Sequence, residues 1–243
     1  VIDNSSAFRM DEKVPLVVPE INPEQAFQHQ GLIANPNCST IQMVVALNPI
    51  HRAANIQRVV VSTYQAVSGS GATAMEELKQ QLRAWAKDEP MNKDVFPTQI
   101  AFNLFPHIDV FQDNGYTKEE MKMVDETRKI MDAPEMQISA TCVRVPVLRA
   151  HSEAVWVETE KPLTEYETRE LFENEPGIVV HDERENGGYP TPWEVTETQE
   201  TYVGRIRKDI SHRNGLAFWV VADQLYKGAA LNAIQIAEVL QKG

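Results

Sequence analysis

The sequence predicts an α/β (α+β) protein in which helices pack on a mixed β-sheet. Strand-like runs rich in β-branched residues alternate with helical runs, as where Arg58–Gln65 is followed by Ala72–Lys87. The chain has 243 residues, of which 42% are hydrophobic and 24% charged, so it can bury a substantial core. No apolar run approaches the roughly 20 residues that a membrane-spanning helix needs.

One helix of the first half has an ambiguous end. Ile41–Leu47 shows helical spacing and runs into Asn48-Pro49, where we expect it to end or kink, because proline disfavours the helical conformation of the residue before it. The other predicted elements of this half are the strand and turn Val1–Phe8, the extended Leu16–Gln25, the strand Arg58–Gln65, the turn Ser68–Gly71 and the helix Ala72–Lys87.

The second half opens with a loop and then a well-marked helix. Thr117 is a good N-cap, and Glu120 three residues later completes a capping box. The predicted elements of this half are the loop Pro90–Gly115, the helix Thr117–Met131, the strands Cys142–Arg149 and Ala154–Glu160, the helix Thr164–Asn174, the strands Thr201–Asp209 and Leu216–Val221, and the closing helix Gln224–Gln241.

The acidic balance of the chain narrows the classes of partner. Its 23 Lys and Arg face 35 Asp and Glu, which gives a formal net charge of −12 at pH 7. Nucleic acids and anionic membranes need a basic surface, so we expect neither as a partner. A small anionic substrate stays compatible, since a few arginines can form a local positive pocket. Cys38 and Cys142 are too few for a disulfide framework and favour a reducing cytoplasm.

Cys38 lies in the run NPNCST, directly before a helical segment. A cysteine in the first turn of a helix meets free N–H groups and the positive end of the helix dipole, which lowers the pKa of a thiol. Asn37 is placed to hydrogen-bond an oxyanion beside the sulfur, and Ser39 and Thr40 are candidate caps. The alternative, a buried apolar cysteine, stays open for Cys38 and is the prediction for Cys142.

A cysteine nucleophile usually needs a base, and His151 is the strongest of six histidines because it lies between two strand-like runs. Arg144 is seven residues earlier, so on one continuous strand the two side chains would lie on opposite faces. They meet only if the chain bends between them. A structural histidine at a strand end is the open alternative, and His107 and His212 are weaker candidates in loops.

Five runs in order resemble one enzyme family: NPNCST, YQAVSGSGA, AFNLFPHID, CVRVPVLRAHSEAVWVE and PTPWEVTETQETYVGRIRKD. Together they resemble aspartate-semialdehyde dehydrogenase in its shorter bacterial form. The resemblance implies a catalytic domain like that of glyceraldehyde-3-phosphate dehydrogenase, the cofactor NADP and a homodimer. It also implies a reaction that interconverts L-4-aspartyl phosphate and L-aspartate 4-semialdehyde through a cysteine thioester, on the route to lysine, methionine and threonine.

The resemblance implies a role for each candidate site residue and no metal. Cys38 is the expected nucleophile and His151 the expected general acid/base. The remaining expected roles are Asn37 and Gln65 lining the active site, Arg144 holding the substrate carboxylate, Glu119 meeting the amino group, Lys122 and Arg9 holding phosphate, and Ser68 and Gly69 contacting the nucleotide. A solvated helix face stays an alternative for Glu119 and Lys122, and a surface arginine for Arg9.

The resemblance also predicts which part of the enzyme this chain represents. Family members open on a nucleotide-binding domain with a glycine-rich turn, and no G-x-G-x-x-G or G-x-x-G-x-x-G occurs here. We therefore expect the chain to start partway through a longer protein and to have little dehydrogenase activity alone. The expected divisions are a remnant of that domain with a linker at 1–36, the catalytic and dimerisation domain at 37–221, and a C-terminal helix at 222–243 that would pack on the absent domain.

Two other functions stay open at this point. N-acetyl-glutamyl-phosphate reductase shares the chemistry, but its cysteine run usually reads NPGC, whereas Asn37 occupies the glycine position here. A dimerising module that has lost catalysis is the alternative from another class. Such a module gives no reason for Cys38 to react faster than Cys142.

Overall fold

A mixed sheet forms the centre of the computed structural model, which describes residues 1–242. The strands found in that range are β1 Ile2–Asp3, β2 Ile33–Ala34, β3 Ile56–Gln65, β4 Gln137–Arg144, β5 His151–Thr159, β6 Ile178–Val180, β7 Thr201–Lys208 and β8 Gly215–Ala222. Six of these described strands make the main sheet, in the order β4-β3-β5-β8-β7-β6, and β1 pairs separately with β2. The two outer pairs, β3–β4 and β6–β7, are parallel, while the inner neighbours are antiparallel. The predicted α/β class with a mixed sheet is confirmed.

Helices cover one face of this sheet. Over residues 1–242 the α-helices are α1 Cys38–Ala54, α2 Ala72–Trp85, α3 Lys118–Ile130, α4 Glu165–Glu173, α5 Pro192–Val195 and α6 Leu231–Lys242. The largest core cluster joins the inner sides of α1, α3 and α4 to alternate residues of the strands, with Met43, Met123 and Phe172 among its helical members. The opposite sheet face carries half-buried side chains such as Tyr64 and Trp219.

The helix α1 runs through the middle of the molecule and buries 13 of its 17 residues. The predicted end of this helix at Asn48-Pro49 is wrong, because the helix continues to Ala54, while the alternative of a kink there stays a prediction. Proline in a helix interior costs about 3 kcal/mol through a lost hydrogen bond and a steric clash. Burial of Leu47 and Ile50 on either side of the proline offsets that cost.

The strand predicted at Cys142–Arg149 is displaced. The observed β4 begins at Gln137 and ends at Arg144, and the chain then leaves the sheet until His151. Pro146 cannot donate to a strand partner, and Ala150 has a left-handed backbone with φ of 68°. This break is the bend that the seven-residue spacing of Arg144 and His151 required.

Other predictions hold with small differences. Thr117 caps α3 in a complete capping box, and Thr164 caps α4 in the same way. The segment predicted as extended, Leu16–Gln25, enters a 3₁₀ helix at Pro23. The closing helix begins with a π-helical turn, Tyr226–Ala230, before α6. The short β6 and α5 were not predicted, since three or four residues give little periodicity.

The two ends of the described chain pack together. β1 and β2 form a parallel pair, and Val17, Ala26 and Ile33 share a small core with Ile236 of α6. Within residues 1–242, every helix falls short of the length and apolarity needed to cross a membrane.

Candidate active site

Cys38 is the first residue of α1 and is half-buried. The cap of this helix is Asn37, whose Oδ1 accepts the backbone N–H of Ser39 at 3.0 Å and of Thr40 at 3.2 Å. The expectation that Ser39 and Thr40 themselves cap the helix is therefore wrong, since both lie inside its first turn. The cap fixes the residue directly before the thiol.

The local field does not favour a thiolate at Cys38. Burial, and then the charge of Glu119, raise the pKa of the thiol to about 12, although Arg144 and the Ser39 N–H act in the opposite direction. The expected lowering of this pKa by the helix start is thus wrong, because desolvation outweighs the helix terminus. Cys142 is fully buried in β4, which confirms its prediction as a core residue.

Glu119 forms hydrogen bonds with three of the predicted site residues. Its Oε1 accepts Asn37 Nδ2 at 2.9 Å and Gln65 Nε2 at 3.4 Å, while its Oε2 accepts Lys122 Nζ at 3.0 Å. Lys122 also reaches Asp109 at 2.8 Å. Glu119 is buried beside the nucleophile, so the alternative of a solvated helix face does not apply to it.

His151 is fully buried at the start of β5. Its Nδ1 accepts the backbone N–H of Ala66 at 3.0 Å, so the neutral ring carries its proton on Nε2. Burial, and then the charge of Arg144, lower the pKa of the imidazole to about 3. Nε2 has no hydrogen-bond partner among the described residues. A neutral ring with a free Nε2–H is a hydrogen-bond donor.

Arg144 lies beside this histidine at the end of β4 and is 4% exposed. Its Nη1 donates to Ala66 O at 2.6 Å, and its guanidinium lies 5.9 Å from the ring centroid of Phe96. Gly69 makes the approach possible: a Cβ there would stand 3.0 Å from both Arg144 Nη1 and His151 Nε2. Arg144 and His151 therefore lie next to the turn that contains Gly69, which is one of the two residues expected to contact the nucleotide.

Arg9 is not a surface side chain, because it is buried against α3. Nη1 pairs with Glu126 Oε1 at 3.1 Å, Nε donates to Asn35 O at 2.9 Å, and Nη2 donates to Asn4 O at 3.0 Å. These contacts exclude the surface alternative, and a role in binding phosphate stays a prediction.

Two residues near the C-terminus complete the site and were missed. Gln224 bridges two loops: its Nε2 donates to Ser68 Oγ and its Oε1 accepts the Ala150 N–H at 2.8 Å. Gly228 lies against the nucleophile, since a Cβ on it would stand 2.8 Å from Cys38 Cβ. A glycine inside a helical pattern was the available signal, because it lowers helix stability without an evident local reason.

Glu153 was also missed, two residues after His151 on the same face of β5. It is fully buried, and burial raises the pKa of its carboxyl well above the usual range. The side chain of Gln42 in α1 partly opposes this rise in pKa, and its Nε2 donates to the backbone oxygen of His151 at 3.4 Å. No group of three or more His, Cys, Asp or Glu within residues 1–242 is arranged to hold a metal ion.

Comparison with known proteins agrees with this geometry. The model "Semialdehyde dehydrogenase, dimerisation domain" matches residues 47–227, and "Semialdehyde dehydrogenase, NAD binding domain" matches residues 1–29. The second match indicates a nicotinamide nucleotide as the cofactor.

The relatives lead to the same family. The aspartate-semialdehyde dehydrogenases of Aquifex aeolicus and Bacillus subtilis are 59% and 50% identical, over 100% of this chain and 72% of each relative. The crystal structure of aspartate semialdehyde dehydrogenase II complexed with ASA from Vibrio cholerae has a TM-score of 0.97 at 48% identity, covering 100% of this chain and 72% of that one. The predicted resemblance is confirmed: the chain belongs to the aspartate-semialdehyde dehydrogenase family, whose members are oxidoreductases of amino-acid biosynthesis.

Proposed function

We propose that the chain is the thioester-forming part of an enzyme that reduces L-4-aspartyl phosphate to L-aspartate 4-semialdehyde, with Cys38 as the nucleophile and NADP as the nucleotide. The observation that carries the proposal is a buried arginine that interacts electrostatically with the helix-start cysteine and lies, across Gly69, beside a neutral histidine with a free N–H. Cys38 and Arg144 act on each other electrostatically, and Gly69 lies in contact with both Arg144 and His151.

The acylation step balances with the groups present. The sulfur of Cys38 bonds to the acyl carbon, the carbon–oxygen bond to phosphate breaks, and the thiol proton leaves with the phosphate as hydrogen phosphate. His151 Nε2–H donates to the carbonyl oxygen as negative charge develops there. The product is an aspartyl thioester on Cys38.

The second half of the reaction uses the same histidine. NADPH, when bound, supplies the hydride that reduces the thioester. His151 Nε2–H donates a hydrogen bond to the carbonyl oxygen while the hydride adds to the carbon, and that oxygen takes up one proton from solvent to give the thiohemiacetal. When the carbon–sulfur bond then breaks, the hydroxyl proton passes to the sulfur of Cys38, which releases the aldehyde and restores the thiol. The Ala66 N–H holds Nδ1 as an acceptor throughout, which keeps the exchangeable proton on Nε2.

The charges of the site match those of the proposed substrate. Arg144 fits the carboxylate, because a guanidinium forms two parallel hydrogen bonds with such a group. Glu119 fits the ammonium. Lys122 has a partly exposed amine and fits the phosphate. Arg9, which is hydrogen-bonded to Asn35 O, contributes a second positive charge toward the phosphate. Asn37 and Gln65 hold Glu119 in place between them.

The nicotinamide end of the cofactor fits the turn at Val67–Ser70. Gly69 is exposed there and lies close to Arg144 and His151, so a nucleotide that contacts this turn would be next to the expected general acid/base. Ser68 is held by Gln224 and would fix this turn against the nucleotide. Because the sequence has no glycine-rich phosphate loop, we expect these 243 residues alone to bind NADPH weakly and to show little dehydrogenase turnover.

We also propose that the protein is a cytoplasmic homodimer that pairs through the open face of the sheet. Tyr64, Trp156 and Trp219 lie half-buried on that face, with Tyr64 and Trp219 rings 5.4 Å apart. The matched dimerisation model spans these strands. The proposed division of the chain stays at 1–36, 37–221 and 222–243.

The test is single-turnover acylation, which needs no nucleotide. The chain is mixed with L-4-aspartyl phosphate, and phosphate release is followed together with peptide mapping of both cysteines. We expect one equivalent of phosphate per chain and an aspartyl adduct on Cys38, while Cys142→Ser retains the burst and Cys38→Ser loses it. A burst only with N-acetyl-glutamyl phosphate would favour the reductase alternative. No burst with either compound would contradict thioester chemistry in this chain.

A further inference from the structure

We infer that Glu126 is a positioning residue for the reaction, which holds the Asn35-Pro36-Asn37 turn on both sides and thereby fixes Cys38. This carboxylate lies on α3, and its side chain is 1% exposed. The inference rests on the proposed thioester function for its main assay, but its structural basis is independent of the substrate.

The contacts of Glu126 reach both ends of the turn. Oε2 accepts the backbone N–H of Asn37 at 2.6 Å. Oε1 pairs with Arg9 Nη1 at 3.1 Å, and Arg9 Nε in turn donates to Asn35 O at 2.9 Å. The carbonyl before Pro36 and the N–H after it are thus held by one buried ion pair.

Asn35 has further hydrogen bonds to Asp3, Asn4, Ala229 and Asn232, whereas the part of the turn next to Cys38 has few other contacts that could fix it. Pro36 has no N–H, and the side chain of Asn37 is already occupied by the helix cap and by Glu119. Glu119 and Glu126 are seven residues apart on α3, so two helical turns place them on one side of it. This helix therefore holds Asn37 by its side chain through Glu119 and by its backbone through Glu126.

The position of the turn determines the position of the sulfur. Asn37 is the cap of α1 and Cys38 is the next residue, so a shift of the turn moves the nucleophile directly. Displacements of about 1 Å can lower the rate of a positioned reaction by about 100-fold. The hydrogen bonds of Glu126 go to Asn37 and Arg9 and not to Cys38, so it acts on the nucleophile through those two residues.

The substitution Glu126→Gln separates this role from general stability. The amide keeps the length of the side chain but presents an N–H₂ to one of two donors, so it cannot hold Asn37 and Arg9 together. We expect the acylation rate constant at saturating aspartyl phosphate to fall at least about tenfold, with the half-saturation concentration within about threefold of the parent. Glu175→Gln is the matched control, because Glu175 is a buried partner of Arg52 at the far end of α1.

Each outcome decides the inference. A selective fall in the rate constant of folded Glu126→Gln, with Glu175→Gln within about twofold of the parent, supports it. Equal rates in parent and Glu126→Gln, or equal falls in both variants, overturn it. If Glu126→Gln does not fold, Glu126→Asp is judged by the same criteria. If the parent itself gives no burst, the proposed function fails, and the inference is judged by the iodoacetamide alkylation rate of Cys38 in the same variants.

Discussion

The two sides of Cys38 differ in how their buried polar groups are satisfied. On the α3 side, Glu119 accepts three hydrogen bonds, and Lys122 bridges it to Asp109. On the β5 side, His151 Nε2 and both carboxyl oxygens of Glu153 have no hydrogen-bond partner among residues 1–242. One side is a charged network and the other a set of desolvated groups.

The difference shows how one fold provides both binding and hydrogen-bond donation. Hydrogen bonds and an ion pair fix the position of the Glu119 carboxylate, which suits recognition of an ammonium. Burial without a countercharge favours the neutral forms of the His151 imidazole and the Glu153 carboxyl, which leaves the imidazole Nε2–H able to donate a hydrogen bond. Cys38 lies between the two and is affected by Glu119 on one side and Arg144 on the other.

The largest expected effect is on the desolvated side. In His151→Asn the side-chain oxygen can still accept the Ala66 N–H, but no donor reaches the position of Nε2. We expect the acylation rate constant to fall about 100-fold, the size of effect seen when one oxyanion donor is removed. In His151→Gln the side-chain amide lies near the former Nε2, so its rate should exceed that of His151→Asn. Equal rates in these two variants would contradict the donor role.

The charged side is tested by Glu119→Gln. Loss of the carboxylate should raise the half-saturation concentration for aspartyl phosphate at least about tenfold, because the ammonium loses its partner. The same change should lower the pKa of Cys38, since Glu119 raises it, so alkylation by iodoacetamide at pH 8 should become faster. Asp109→Asn is the control, because Asp109 shares Lys122 but is not among the groups that shift this pKa. Slower alkylation of Cys38 in Glu119→Gln would contradict the inference that the charge of Glu119 raises the pKa of this thiol.

The smallest expected effect is on stability and concerns Glu153. Its folded pKa is raised, so the folded state keeps a proton that the unfolded state releases above about pH 4.5. The contribution of Glu153 to the free energy of unfolding of the parent is therefore fully present below that pH and is lost as the pH rises toward the folded pKa. Glu153→Gln should unfold at about the same denaturant concentration as the parent at pH 4, and be more stable by about 1–3 kcal/mol at pH 8.

The control for this change is Glu158→Gln on the same strand, where a partly exposed carboxylate pairs with Arg58. Such a pair contributes at most about 1 kcal/mol to stability. Glu158→Gln should therefore change the free energy of unfolding only slightly, and it should not make the protein more stable as the pH rises. A Glu153→Gln protein with the same pH dependence of unfolding as the parent would contradict the raised pKa of Glu153 in the folded protein.

Local patterns predicted most of the fold. The capping box at Thr117, the β-branched run of β3 and the strand pair near the C-terminus are all short-range signals. Pro49 misled the prediction because the energy that carries α1 past it comes from tertiary burial, which periodicity does not report. The strand at Gln137–Arg144 was displaced for a similar reason, since its boundaries follow from pairing with β3.

The candidate site was predictable in its residues and less so in its electrostatics. The resemblance supplied Cys38, His151 and Arg144, and the structure brings the last two together through a bend that the spacing had shown to be necessary. The raised pKa of the thiol was not predictable, because burial depends on the whole fold. Gln224 and Gly228 were missed because they are about 190 residues from Cys38 in sequence.

That separation between Gly228 and Cys38 has a consequence for biosynthesis. A ribosome releases Cys38 and the start of α1 long before it releases Gly228, which lies against the Cα and Cβ of Cys38. Domains generally fold from the N-terminus during synthesis. The thiol therefore stays uncovered while the central strands are being made, and the reactive centre takes its final form only when the last turns of the chain arrive. Cells under oxidative stress would then damage nascent chains at this thiol more readily than finished ones.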